Sequence, residues 1–303
     1  MLLQIQSVIY GNEKNALLKA IRAIKQAVTV YNRRCGKLDA LLVYGDASPQ
    51  PILSEMDQEE IKELLDDTVT FKYHVFGFNS GTAKGHNILG ADSVSDYMMI
   101  MNPDVILEPQ CLIKLFEAFD EENVGMAEAR QTPLEHAKEY SIETGETEWA
   151  STACTIFKTK IFHELKGFDY ETFFMYCDDL DFSWRLRLKG YKIKYVPSAI
   201  AYHAKTLSVD GTWTPTNAEI YYSAEAAILL AYKWSNTKRA EALSKQYQTQ
   251  GCQSEKKAAE EYEKRKTNNC LPQQLDPEHQ VARFLKDDYC KMRFYFRGGE
   301  NND

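Results

Sequence analysis

Tyr97-Met98-Met99-Ile100-Met101-Asn102-Pro103-Asp104-Val105 is the stretch whose reading decides the fold. Its first five residues read as a buried strand. Pro103 bars that strand from continuing and delivers Asn102 and Asp104 into a loop. Open α/β sheets keep their chemistry at the carboxyl ends of their strands. A carboxylate there suits Mg2+ or Mn2+ shared with substrate phosphates, which would neutralise a diphosphate leaving group. Asn, Pro and Asp are also turn formers, so the stretch alone fits a plain turn equally well.

Upstream, Leu2 to Tyr10 alternates and is rich in Ile and Val, a strand broken by Gly11 and Asn12. Asn15 to Val30 sets Leu17, Leu18, Ile21, Ile24 and Val28 on one helical face. Leu38 to Tyr44 reads as a strand, Asp57 to Leu65 as a short acidic helix, and Thr68 to Phe76 as a third strand. A Gly/Asn/Ser loop and a helix to about Ala91 follow. Strand and helix thus alternate up to Asp104, the pattern of a mostly parallel sheet wound with helices. Downstream, strands are expected at Val124 to Ala129, Trp149 to Phe157 and Tyr191 to Val196, the last closed by Pro197. Gln131 to Glu148 reads as a polar, mobile loop, and Asp179 to Lys189 as an amphipathic helix. From about Asn217 the chain turns helical. Ser254 to Lys266 is so charged that it reads as a solvated helix or partly disordered.

The 303 residues suffice for one large α/β domain with an appendage, or for two modest domains. A net charge of −8 disfavours nucleic acid as a partner. The seven cysteines lack paired metal spacing, and with no signal-like start they suggest a reducing cytoplasm. No apolar run reaches the ~20 residues of a membrane span.

Three further constellations carry candidate chemistry. Phe78 to Asn87 is a Gly-bearing loop opening a helix, suited to sugar or phosphate oxygens but lacking P-loop spacing. Asp178, Asp179 and Asp181 crowd a helix start, where the dipole alone would favour them and where mutual repulsion could also make one a general base. Phe173, Phe174, Tyr176 and Trp184 beside them suit core packing or a sugar platform. His203 follows a strand and is a structural histidine or a metal ligand.

In this order and spacing, the Asn79–Asn87 loop, Asn102-Pro103-Asp104, Gly167-Phe168-Asp169 with Phe173-Phe174-Met175-Tyr176 and Asp178-Asp179-Leu180-Asp181, and His203 resemble family 2 inverting glycosyltransferases. The resemblance is to the rhamnosyltransferase-like branch carrying Asn-Pro-Asp for Asp-x-Asp, and it runs from about Gln4 to His203. It implies a GT-A fold: residues 1–105 as the nucleotide-sugar half, 106–215 as the acceptor half, and 216–303 as a helical extension. It implies donor contacts from Tyr10, Asn12, Asp46, Asn79, Lys84, Asn87 and Asn102. Metal ligation falls to Asp104 and His203, the base to Asp179 or Asp178, and acceptor contacts to Trp149, Tyr176 and Asp181. Departures are Tyr10-Gly11-Asn12 for the usual Thr-Tyr-Asn, a one-position shift of Asp46, and Asp178-Asp179 for Glu-Asp.

The implied activity is transfer from a nucleoside-diphosphate sugar, dTDP-rhamnose or a UDP-hexose, to a glycan or lipid-linked saccharide in surface polysaccharide assembly. The competing reading is a nucleotide-sugar-binding protein of this fold that has lost catalysis. A dinucleotide enzyme is disfavoured because Gly-x-Gly-x-x-Gly is missing after the first strand. Lys291, Arg293 and Arg297 beside Phe294, Tyr295 and Phe296 suit either a docked terminal segment or peripheral contact with the inner face of the plasma membrane. A homo-oligomer is compatible with all of this.

Overall fold

The computed structural model describes residues 1–203, 215–285 and 289–291. Strand β1 (Leu2–Ile9) pairs in parallel with β2 (Asp39–Asp46), and β2 with β3 (Val69–Val75). On its other side β1 pairs in parallel with β4 (Tyr97–Met101). Helices α1 (Lys14–Arg34), α2 (Glu55–Leu65) and α3 (Gly81–Gly90) supply the crossovers. The expected face of α1 is the one buried, and α2 opens on a capping box between Ser54 and Asp57.

Beyond β4 the sheet becomes mixed. β4 pairs antiparallel with β7 (Cys154–Lys158), and β7 antiparallel with β6 (Val124–Thr132). β6 pairs in parallel with β8 (Lys192–His203), and β8 antiparallel with β5 (Val105–Leu107). The eight strands form one sheet in the order β3-β2-β1-β4-β7-β6-β8-β5.

The last strand does not close at Pro197 but runs on to His203. Its register against β6 shifts between Val196 and Ile200, so Pro197 occupies a bulge, where no ladder N–H is required of it. The extension is what carries His203 to the end of β5. Gln131 to Glu148 is also more fixed than its polarity suggested. Tyr140 bridges Thr147, Glu146 bridges Lys194, and the buried Lys138 ion-pairs with Glu128 at 2.6 Å.

The remaining helices are α4 (Cys111–Glu117), α5 (Thr159–Glu164), α6 (Asp178–Leu188), α7 (Asn217–Lys233), α8 (Thr237–Gln250) and α9 (Gln253–Thr267). The charged α9 is ordered because it still buries Ala258, Ala259 and Tyr262. One core fills the space between the sheet and α1, α2 and α4. Another joins Leu180 and Trp184 of α6 to Ile228, Leu229 and Trp234 and to Tyr262 of α9. The Trp184 and Trp234 rings meet edge-on at 5.2 Å. The C-terminal helices therefore share a core with the helix that presents the clustered aspartates. Among the described residues, no helix is long and apolar enough to cross a membrane.

Candidate active site

Asn102-Pro103-Asp104-Val105 is a closed turn, with the Val105 N–H donating to the Asn102 carbonyl at 3.1 Å and Pro103 at its second position. Antiparallel pairing of β5 with β8 sets Val105 opposite His203, which brings the histidine beside Asp104. His203 Nε2 lies 3.4 Å from Asp104 Oδ1 and 3.2 Å from Asn102 Nδ2. The buried Nδ1 of His203 has no hydrogen-bond partner among the described residues, and Nε2 is the ring nitrogen turned to Asn102 and Asp104. Two ligands at neighbouring corners of an octahedron with ~2.1 Å bonds stand ~3.0 Å apart. The Asp104–His203 pair therefore fits a divalent ion after a small adjustment. Among the described residues no third His, Cys, Asp or Glu joins them.

Across the site, Tyr176 (φ +66°) and Cys177 (φ +55°) are successive left-handed residues that turn the chain sharply into α6. Asp178 and Asp179 form the first turn of that helix. Asp178 is buried and accepts from Thr82 Oγ1 at 3.1 Å. Burial, and then the neighbouring Asp179, push its carboxyl up to about 7. Asp179 is half-buried, and its Oδ1 accepts the Leu180 N–H at 2.9 Å. Burial also raises its pKa, against the pull of that N–H and of the Lys138 charge.

The raised carboxyl of Asp178 makes its contribution to stability depend on pH. The folded state holds its proton more tightly than the unfolded chain, whose carboxyl titrates near ~4. The contribution of Asp178 to stability therefore falls as pH rises from ~4 through about 7. Asp178→Asn is expected to raise the melting temperature at pH 8, with the advantage vanishing at pH 4. Each pH unit is worth ~1.4 kcal/mol, so the gain at pH 8 is on the order of a few kcal/mol. Melting curves at the two pH values check this.

Asp104, His203, Asn102, Asp178, Asp179, Trp149 and Tyr176 line one cavity of about 580 Å³. Sequence reasoning did not single out Thr82, Gln131, Ser151, Glu219 or Tyr289, which line it too. Thr82 lay within the flagged loop, and Glu219 within a Thr216/Glu219 capping box that reads only as a helix start. Gly81 lets the flagged loop approach. Its φ is +64°, and a Cβ there would stand 2.3 Å from the Phe174 carbonyl, which accepts the Thr82 N–H at 3.1 Å.

The other expected donor contacts do not line this cavity. Tyr10 is exposed, and Asn12 Oδ1 accepts the Tyr10 N–H at 2.9 Å. Asp46 is fully buried and accepts from the N–H groups of Ser48 and Ile52 and from the Tyr73 hydroxyl, so it pins the loop after β2. Asn79 Oδ1 accepts the Gly81 N–H at 3.2 Å. The exposed Lys84 lies over the Phe78 and Tyr170 rings, at 5.1 and 5.5 Å. Asn87 clamps the Phe168 backbone through both ends of its amide, at 2.8 Å each. The structure gives Asp181 a different setting from the acceptor contact expected of it. It is fully buried away from the cavity and accepts from Arg185 Nε (2.7 Å), Lys233 Nζ (2.6 Å) and Trp234 Nε1 (3.1 Å). In the C-terminal segment, Lys291 lies among the described residues, whereas Arg293, Phe294, Tyr295, Phe296 and Arg297 fall outside them.

No family model matches the chain. Over 60 residues it is 40% identical to the N-acetylglucosaminyl-diphospho-decaprenol L-rhamnosyltransferase of two Mycobacterium tuberculosis strains; the match spans 20% of this chain and 19% of those proteins. The fold is similar to that of the mannosyltransferase PcManGT from Pyrobaculum calidifontis, solved with GDP-Man and Mn2+. The TM-score is 0.56 and the identity 13%, over 89% of this chain and 80% of that one. It is also similar to GalNAc-T7, solved with UDP, GalNAc and Mn2+ (TM-score 0.60, 13% identity, 90% and 59% of the two chains). S. aureus TarS matches at TM-score 0.54 and 13% identity, over 82% of this chain and 44% of that one. With its eight-stranded mixed sheet flanked by helices, the chain has the GT-A fold of these glycosyltransferases.

Proposed function

We propose that the chain is an inverting, metal-assisted glycosyltransferase of the family 2, rhamnosyltransferase-like type. It would move a sugar from a nucleoside diphosphate to a hydroxyl of a glycan or lipid-linked saccharide in surface polysaccharide assembly. The observation that carries this reading is one cavity holding the Asp104–His203 pair, 3.4 Å apart, and the Asp178–Asp179 pair.

The chain's own residues divide the work. Asp104 and His203 would hold Mn2+ or Mg2+, which when bound supplies Lewis-acid stabilisation of the departing diphosphate. Asn102 orients the His203 ring. Asp179, the less buried of the two α6 carboxylates, takes the proton from the acceptor hydroxyl. That oxygen forms its bond to the anomeric carbon as the bond to the diphosphate breaks on the opposite face, which inverts the configuration. Asp178, held by Thr82, stands beside Asp179 and, when ionised, favours the protonated form of Asp179 once the proton has moved.

Asp104→Ala is expected to weaken Mn2+-dependent binding of the donor nucleotide by at least ~10-fold, with little change in metal-free binding. Calorimetric titration of UDP, dTDP and GDP with and without Mn2+ checks it. Identical metal dependence in both proteins would refute the assignment.

A further inference from the structure

Lys138 and Glu128 are both buried and pair at 2.6 Å. Lys138 Nζ also lies 3.6 Å from the centre of the Trp149 ring, and Glu128 Oε1 accepts from Gln131 Nε2 at 3.4 Å. Trp149 and Gln131 both line the cavity. A buried ion pair adds little net stability, because the desolvation of both ions offsets their attraction. What the pair is worth therefore depends on what stands beside it. Trp149 opens residues 149–153, which join the two halves of the site. The Ala150 N–H donates to Ser183 Oγ of α6 at 3.1 Å, and the Ala153 carbonyl accepts the Asn102 N–H at 2.9 Å. Between them, Ser151 and Thr152 line the cavity. The Ser151 N–H favours the ionised form of Glu128, and the Thr152 N–H that of Asp179.

Burial raises the Asp179 carboxyl, and the Leu180 N–H, the Lys138 charge and the Thr152 N–H oppose that rise. Among the described residues, the other titratable groups around Asp179 are Asp178 and Cys177 at the start of α6, Glu128 of β6, and His136, Tyr176, Glu219 and Tyr289 on the cavity wall. The Asp104–His203 pair lines the same cavity. Asp178 and Glu128 repel the Asp179 charge, and Lys138 attracts it.

We propose that Lys138 is a positioning residue for the general base: its charge favours the ionised form of Asp179, and its pairing with Glu128 fixes residues 149–153, which hold that carboxylate. This deepens the sugar-transfer reading above and rests on it for the role of Asp179. A pair that only supports the fold is the alternative it opposes.

The test reads Asp179 without substrate. The full chain is labelled with aspartate carrying carbon-13 at the side-chain carboxyl, and the NMR resonance missing from Asp179→Asn is followed against pH. Asp178 titrates beside it, so midpoints are compared between proteins rather than taken singly. Lys138→Met leaves Glu128, whose carboxyl burial already raises, free to take up a proton, and is expected to raise the midpoint by at least ~0.5 pH unit. Glu128→Gln keeps Lys138 and is expected to leave the midpoint level or to lower it. Lys138→Met combined with Glu128→Met leaves no lone buried charge, so it is expected to fold and to raise the midpoint as Lys138→Met does. In transfer assays the acidic limb of the kcat profile should follow these midpoints, with the donor KM unchanged. An unmoved midpoint in the variants lacking Lys138, or a rise in Glu128→Gln, would overturn the proposal. Midpoints that shift as expected while no protein transfers a sugar, or while the kcat limb stays fixed, would contradict the sugar-transfer reading instead.

Discussion

Asp179→Asn is expected to lower glycosyl transfer by ~10²–10⁴-fold, the range for loss of a positioned general base, while donor binding is retained. The amide keeps the side-chain oxygen that accepts the Leu180 N–H at 2.9 Å, so the start of α6 survives. It also removes one of two adjacent carboxylates, so Asp178 should titrate lower in the variant, because Asp179 is part of what raises it. The loss should therefore fall on kcat rather than on the donor KM. Transfer at the wild-type rate would remove Asp179 from the mechanism. A loss of donor affinity equal to the loss of rate would place it in binding instead.

Asp181→Ala is expected to destabilise the fold by ~3–5 kcal/mol. The carboxylate is fully buried, and the alanine would leave Arg185, Lys233 and Trp234 without it. Lys233 retains Asp169 at 2.7 Å, which moderates the cost. The melting temperature should fall by roughly 10 °C, at ~2–4 °C per kcal/mol for a chain of this size. Because this network binds α6 to the last turn of α7, activity should fall along with stability. A melting temperature within 2 °C of wild type would show that the network is dispensable.

The first half of the fold was legible because it follows local rules. Period-2 strands and the period-3.6 face of α1 announce themselves within a few residues, and Gly and Pro mark their ends. The second half was less legible for three physical reasons. β5, α4 and α5 are three, seven and six residues long, too short to show periodicity. Pro197 looks like a stop in sequence and becomes a bulge only because β6 accommodates the shift. The core that joins Trp184 to Trp234 depends on a partner 50 residues away.

The site divides in the same way. Asp104, His203, Asp178 and Asp179 could be singled out from residue type and order. Their convergence could not, because it depends on β8 running past Pro197 and pairing with β5. Asp181 shows the converse. In sequence it is one more acid at the start of α6, but Arg185, Lys233 and Trp234 bury it, and the last two come from 52 and 53 residues further on. Asn87 and Asp46 are polar residues in flagged loops that the fold uses to fasten itself.

The most direct test of the account is release of nucleoside diphosphate from a panel of nucleotide sugars with Mn2+ present, dTDP-rhamnose and UDP-hexoses first. The account predicts metal-dependent release by the wild-type chain, a product of inverted anomeric configuration by NMR, and loss of release in both Asp104→Ala and Asp179→Asn. Release that persists in both variants, or a product of retained configuration, would contradict it.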